Sequence, residues 1–184
     1  RVTLTASSVQ FGCYQSYALD VTINPPPTGS FTVADPDICT PEEAVFTNSS
    51  AILYGTLAYQ WNFADGSSST AAAPEVRHTY GQAQLYKVSL TRTSDKGCTN
   101  TVTRNITVHP TPVPSFVHVD ACDGKEVTFY NNSVIQSDQI QNFVWDFNDN
   151  STSFSVEPKH IFPSYGNYTV SLSATSNFGC NAIV

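Results

Sequence analysis

The strongest constraint on this 184-residue chain is that it repeats itself. YQWNFADGSSS at 59–69 aligns with FVWDFNDNSTS at 143–153, which sets Trp61 and Trp145 84 residues apart. HTYGQAQLYKVSLTRTSDKGC at 78–98 aligns with HIFPSYGNYTVSLSATSNFGC at 160–180, matching His78 to His160, Tyr86 to Tyr168 and Val88 to Val170 at a spacing of 82. CTPEEAVFTNSS at 39–50 aligns with CDGKEVTFYNNS at 122–133, with Cys39 and Cys122 83 apart. RVTLTASSVQFGC at 1–13 is a further copy of the segments that end at Cys98 and Cys180. Self-similarity at a fixed period means a row of like units, each packed mainly on its neighbours. The joints are NPPPTGSF (24–31) and HPTPVPSF (109–116), and such proline runs make short, extended, semi-rigid spacers. The expected organisation is therefore the C-terminal strands of a preceding repeat over 1–24, a complete repeat over 25–109, and a repeat lacking the end of its last strand over 110–184.

Within a unit the polarity alternates with period 2. In YKVSLTR, Tyr86, Val88 and Leu90 point one way while Lys87, Ser89 and Thr91 point the other, the pattern of a half-buried strand. Turn chemistry (ADGSS, SDKG, NDNS, SNFG) separates the strands, and no window carries a helical period. Several short strands in about 84 residues, one bearing a Trp, predict an all-β fold of tandem Ig-like β-sandwich domains. The expected core anchors are Trp61, Phe63 and Tyr86 in one unit and Trp145, Phe147 and Tyr168 in the other. Residues 1–24 supply only a two-strand hairpin. Lone hairpins are marginal in water, so order there requires a neighbour or another chain segment.

Composition narrows the partners. Eight Lys and Arg against fifteen Asp and Glu give a net charge of -7, which excludes nucleic acid and anionic membrane surfaces, since both require clustered cations. No apolar run approaches the roughly 20 residues of a membrane span, so no membrane insertion is expected. The chain opens on Arg1 with no charged n-region and apolar core, hence no signal peptide; the expectation is a piece of a longer or processed protein.

Five cysteines, Cys13, Cys39, Cys98, Cys122 and Cys180, fall into the repeat as one before the second strand of each unit and one after the Gly of its last hairpin. The overlay predicts Cys39–Cys98 and Cys122–Cys180, each pinning one end of a sandwich, and pairs Cys13 with a cysteine upstream. Disulfides imply an oxidising, extracellular location. No Cys/His cluster suggests zinc.

WNFADGSSS…HTY…YKVSL and WDFNDNSTS…HIF…GNYTVSL resemble the signature of PKD (polycystic kidney disease) domains, an aromatic strand ending W-D-F-G-D-G-S, followed by P-x-H-x-Y and G-x-Y-x-V-x-L. Asn62 stands at the first Asp of that pattern, Ala64 and Asn148 replace its first Gly, Asn150 its second, and Gln84 stands where the other copy has Gly166. The resemblance implies Ig-like extracellular modules that act as spacers or adhesive units. Tandem copies with an FGC hairpin and few charges are similar to repeats of large Bacteroidota cell-surface adhesins, including those of gliding motility. The implied role is a structural and adhesive repeat segment of an extracellular surface filament. The implied partners are neighbouring repeats of the same protein and surface glycans or proteins, with filament formation or self-assembly. The alternative is an accessory module of a secreted hydrolase that binds a polysaccharide or protein. Neither makes the chain an enzyme or gives it a cofactor.

Candidate chemistry is sparse. Asp65 and Asp149, at the tips of the Trp strands, are expected to cap turn N–H groups. Calcium is the alternative, but it takes six to eight oxygens, and each loop offers one or two carboxylates. Asp146 with Asp149 as an acid–base pair fails because its twin position holds Asn62, which cannot titrate. His78 and His160 are expected to bond a loop backbone group. Tyr54, Tyr59, Tyr80 and Tyr86 are read as core and cross-strand residues rather than a sugar platform. No GxSxG, HExxH or phosphate loop is present.

Overall fold

The computed structural model describes residues 1–184 and is built of strands and loops alone, with no helix long and apolar enough to cross a membrane. β1 (Val2–Ser7) and β2 (Tyr14–Leu19) form an isolated antiparallel hairpin. Both strands are exposed along nearly their whole length. Residues 1–24 thus have the predicted strands but bury neither face on the rest of the chain.

Repeat one is a sandwich. β3 (Phe31–Val33), β5 (Glu43–Asn48) and β8 (Glu75–Thr79) make one sheet. The facing sheet runs in the order β4 (Asp37–Cys39), β10 (Thr99–His109), β9 (Leu85–Ser94), β6 (Leu57–Asn62), β7 (Ser68–Ser69). All neighbours are antiparallel except β4, which runs parallel to the end of β10 with Cys39 level with His109. Alternation decides what faces inward. Tyr86, Val88 and Leu90 of β9 are buried, as the period predicts, and join Phe31, Phe46, Trp61, Phe63 and Tyr80 in a core cluster of 13 buried residues. Trp61 lies edge-on to Phe31 at 5.1 Å and stacks on Phe63 at 6.4 Å. Offset and edge-to-face contacts of this kind add to area burial.

The same inward register carries a polar residue that the pattern hid. Arg92 is fully buried. One guanidinium NH2 group (Nη1) donates to Thr28 O at 2.7 Å, and the other (Nη2) donates to Asn100 Oδ1. It thereby ties the proline-rich joint to the sheet. Its counterpart in repeat two is Ala174, also buried.

Repeat two follows the same plan with fewer strands paired. β11 (Phe116–Val119), β12 (Val127–Asn131) and β15 (Lys159–His160) form one sheet; β14 (Thr152–Ser153), β13 (Ile140–Asp146), β16 (Ser171–Ser176) and β17 (Asn181–Ile183) form the other. Its buried cluster is Phe129, Trp145, Phe147 and Leu172 alone. In repeat one, Ile106 and Val108 of β10 and Ile38 of β4 close the core. Repeat two has a cleft of about 500 Å³ lined by Phe116, Cys122, Phe129, Phe162, Tyr168 and Val170 among others.

The predicted intra-repeat disulfides are overturned. Cys39 bonds Cys180, across the two repeats, with Cα atoms 5.6 Å apart, while Cys13, Cys98 and Cys122 are free. The cause is strand length. Cys39 is level with His109 at one end of β10, and Cys98 precedes Thr99 at the other. Ten residues of strand at ~3.4 Å each put these two roughly 34 Å apart, whereas a disulfide spans at most about 7 Å between Cα atoms. In repeat two, Cys122 lines the cleft together with Tyr168, and Cys180 lies beyond the other end of β16.

Candidate functional site

The loops that leave the Trp strands are built identically in both repeats. Asn62 Oδ1 accepts from the N–H of Ala64, and Asp146 Oδ1 accepts from the N–H of Asn148, both at 2.8 Å. Each is an Asx turn that needs only an acceptor oxygen, which is why Asn and Asp interchange here. The turn then passes through the left-handed region at Ala64 (φ 68°), Asn148 (φ 55°) and Asn150 (φ 71°). Asn tolerates that conformation; Ala does not, at a cost of roughly 1–2 kcal/mol. Ala64→Gly should therefore stabilise repeat one by about 0.5–1 kcal/mol after the added freedom of the unfolded chain is subtracted. A denaturation midpoint that failed to rise would show the loop to be relaxed.

Asp65 and Asp149 close the loops. Asp65 Oδ1 accepts from Ser67 N at 2.9 Å and from Ser67 Oγ at 2.5 Å, and Oδ2 lies 2.6 Å from His78 Nε2. Asp149 repeats this with Ser151 N at 3.0 Å, Ser151 Oγ, and His160 Nε2 at 2.6 Å. Each imidazole lies flat on the aromatic just past the end of the Trp strand, His78 on Phe63 and His160 on Phe147, both at 4.1 Å. Tyr80 and Phe162 meet the same rings edge-on at 4.6 Å. The expectation that these histidines bond loop backbone is corrected: they bond the turn carboxylates. The sequence showed D-x-S and a downstream H recurring together, but not that the strands bring them into contact.

A Ser, a His and an Asp in contact resemble a nucleophilic triad only in composition. Asp65 and Ser67 both face the same nitrogen, His78 Nε2, and the Ser hydroxyl donates to the carboxylate. A triad places the acid and the nucleophile on opposite ring nitrogens. Calcium fits no better. Both oxygens of each carboxylate already accept from N–H and O–H donors, and no group of three or more His, Cys, Asp or Glu side chains is arranged to hold a metal ion.

The electrostatics are those of a clamp. Burial pushes the Asp65 carboxyl up, but the hydrogen bonds from Ser67 and His78 outweigh it and hold it at about 2, against an ordinary 3.8. The Ser151 hydrogen bond leads in lowering Asp149, with help from His160. A carboxyl lowered by folding stabilises the fold above its unfolded pKa, and that contribution is lost as pH falls through the folded value. Unfolding free energy should thus drop between about pH 4 and pH 2. Denaturation midpoints measured across that range check this, and Asp65→Asn should flatten the repeat-one profile.

Of the tyrosines, Tyr80 and Tyr86 are buried and Tyr59 packs on the core, while Tyr54 is exposed. Tyr86 donates to Gln82 O at 2.8 Å and Tyr168 to Ser164 O at 3.1 Å, each four residues upstream, similar to the tyrosine corner of Ig-like folds. Trp61 Nε1 and Trp145 Nε1 donate to Ala71 O and Ser155 O at 3.3 and 2.9 Å. The predicted core anchors Trp61, Phe63, Tyr86, Trp145 and Phe147 are placed in or against the cores, and Tyr168 stacks on Phe162 at 4.2 Å.

The second set of polar contacts lies between the repeats. His109 is buried, with Nδ1 3.1 Å from Asp138 of repeat two and Nε2 3.4 Å from Asp37 of repeat one. Its ring stacks on Phe178 at 3.7 Å. Thr40 N donates to His109 O at 2.9 Å, and Thr111 N donates to Thr40 Oγ1 at 3.1 Å. With Cys39–Cys180 beside them, these contacts clamp one repeat to the next.

The sequence profile of the PKD domain matches residues 24–108 and again residues 109–183. The chain belongs to the PKD domain family. Its two PKD repeats are similar to a segment of the pre-pro-metalloprotease PrtV of Vibrio cholerae serotype O1, 31% identical over 128 residues, or 67% of this chain and 13% of that protein. They also resemble a microbial collagenase of Vibrio alginolyticus, 42% identical over 60 residues, or 32% of this chain and 7% of the relative. The chain thus spans a small fraction of the curated relatives it matches. Among solved structures, it resembles the PKD1 domain of Vibrio anguillarum Epp, with 33% identity, a TM-score of 0.40, and coverage of 47% of this chain and 96% of that one. The PKD1 domain from the V. cholerae metalloprotease PrtV aligns at 28% identity with a TM-score of 0.39 over 45% and 96% of the two chains.

Proposed function

We propose that these PKD repeats are a structural and adhesive segment of an extracellular surface protein, holding distal parts of it at a set distance and orientation. The joint carries this reading. A buried histidine held between carboxylates of two repeats, an aromatic stack and an inter-repeat disulfide make two domains into one body, which a spacer requires and a freely hinged module does not. The disulfide supports an oxidising compartment, and the low charge and exposed β surface suit contact with glycans, proteins or neighbouring filaments at a cell surface. Solution scattering of the full-length protein tests this: a particle whose length grows in proportion to its number of PKD repeats is expected, and a compact particle would sink the spacer.

The second reading, an accessory substrate-binding module of a secreted hydrolase, is favoured by the likeness to a metalloprotease and a collagenase. Co-sedimentation of the 184-residue protein with insoluble collagen or polysaccharide would support it.

A further inference from the structure

Asn24 and His109 are equivalent, each opening a proline-rich joint, and Cys98 and Cys180 are equivalent as hairpin cysteines. In the joint between the repeats, Cys39 lies level with His109 in the parallel pairing of β4 with β10, and it bonds Cys180. In the joint ahead of repeat one, Cys98 Sγ lies 3.8 Å from Asn24 O. Cys98 therefore already stands beside the residue that marks the disulfide in the other joint. A strand running parallel to residues 22–24, with a cysteine level with Asn24, would bring its sulfur to Cys98. Cys122 is the complementary case. It is the twin of Cys39, it is exposed, and it lies at the end of repeat two opposite to Cys180.

We propose that Cys98 and Cys122 are the disulfide partners of adjoining PKD repeats. Cys98 takes the counterpart of Cys39 in the repeat before it, Cys122 takes the hairpin cysteine of the repeat after it, and every joint is closed as Cys39–Cys180 closes this one. Two independent observations carry the assignment: the twins of both residues are bonded to each other in this chain, and Cys98 is seated against Asn24 as the register requires. Each closure converts two thiols to one disulfide with loss of two protons and two electrons, which pass to a thiol–disulfide oxidant that is itself reduced to the dithiol. The inference rests on the reading of the chain as part of a repeat array.

The test is peptide mapping of the full-length protein, with free thiols capped by iodoacetamide and digestion without reduction. The expected result is a linked Cys39–Cys180 peptide. Cys98 should be linked to a counterpart of Cys39 and Cys122 to a hairpin cysteine of other PKD repeats. On a non-reducing gel, a single band places those repeats in the same chain, and a reducible ladder places them in a second copy; both establish the bond. A Cys98→Ser variant should leave one counterpart of Cys39 in a neighbouring repeat newly alkylated. Alkylated Cys98 and Cys122 in the native protein, or linked Cys39–Cys98 and Cys122–Cys180 peptides, would overturn the proposal. An extended particle with alkylated cysteines removes the disulfide pairing and spares the spacer, whereas a compact particle with linked peptides does the reverse.

Discussion

Cys180→Ser is expected to destabilise the 184-residue chain by about 2–5 kcal/mol, with the loss falling first on repeat two. The bond closes a loop of 141 residues, for which the chain-entropy relation gives about 5 kcal/mol, and strain or residual structure in the unfolded state commonly reduces that figure. Repeat two is the weaker partner, because its buried cluster holds four residues against thirteen. Without the bond, it is held by its linker, the His109 contacts and the Phe178 stack. Urea titration under oxidising conditions should show one transition dividing into two, the earlier belonging to repeat two. Cys13→Ser, on the exposed hairpin, is the control and should leave the midpoint in place. A single unchanged transition in Cys180→Ser would mean that the noncovalent joint alone couples the repeats.

Trp145→Ala should unfold repeat two while repeat one survives. Trp145 is fully buried against Phe116, Phe129 and Phe147, and truncating a core Trp to Ala costs about 3–5 kcal/mol. Small domains hold only about 5–15 kcal/mol in total, and the buried cluster of this one holds four residues. Trp61→Ala removes a residue of equal burial from the larger cluster, so repeat one should be weakened but still folded. With one Trp per repeat, intrinsic fluorescence of each variant reports the other domain. If the Trp61 signal of Trp145→Ala already showed repeat one unfolded without denaturant, the repeats would be a single cooperative unit.

How much of this could be read beforehand follows from the range of each interaction. The 82–84-residue period, the alternation in YKVSL and the paired Trp strands are local patterns, and they led directly to tandem sandwiches. The Asp65 and Asp149 turns were legible for the same reason, since Asx turns and turn Ser residues are neighbours in the chain. The histidine contacts were half legible: His78 and His160 recur, but their carboxylate partners become visible only once β8 and β15 lie beside the loops. The disulfide pairing was not legible from an overlay. The overlay fixes which cysteines are equivalent and says nothing about which end of a sandwich each occupies. The alternating run TNTVTRNITVH held the signal, because an 11-residue strand separates its two ends by more than any disulfide can span. Arg92 was hidden because its place in the alternation is that of an apolar residue, as Ala174 shows.

The inter-repeat bond also changes what a single backbone break would do. Cys39 and Cys180 enclose nearly all of both sandwiches within one covalent ring. A protease that cut any loop between residues 40 and 179 would leave both fragments attached, because the path through the disulfide bypasses the nick. Only the segments outside the ring, residues 1–38 and 181–184, are joined to the rest by one strand of chain. A surface protein exposed to foreign proteases would in this way remain in one piece after damage that would sever an ordinary string of domains.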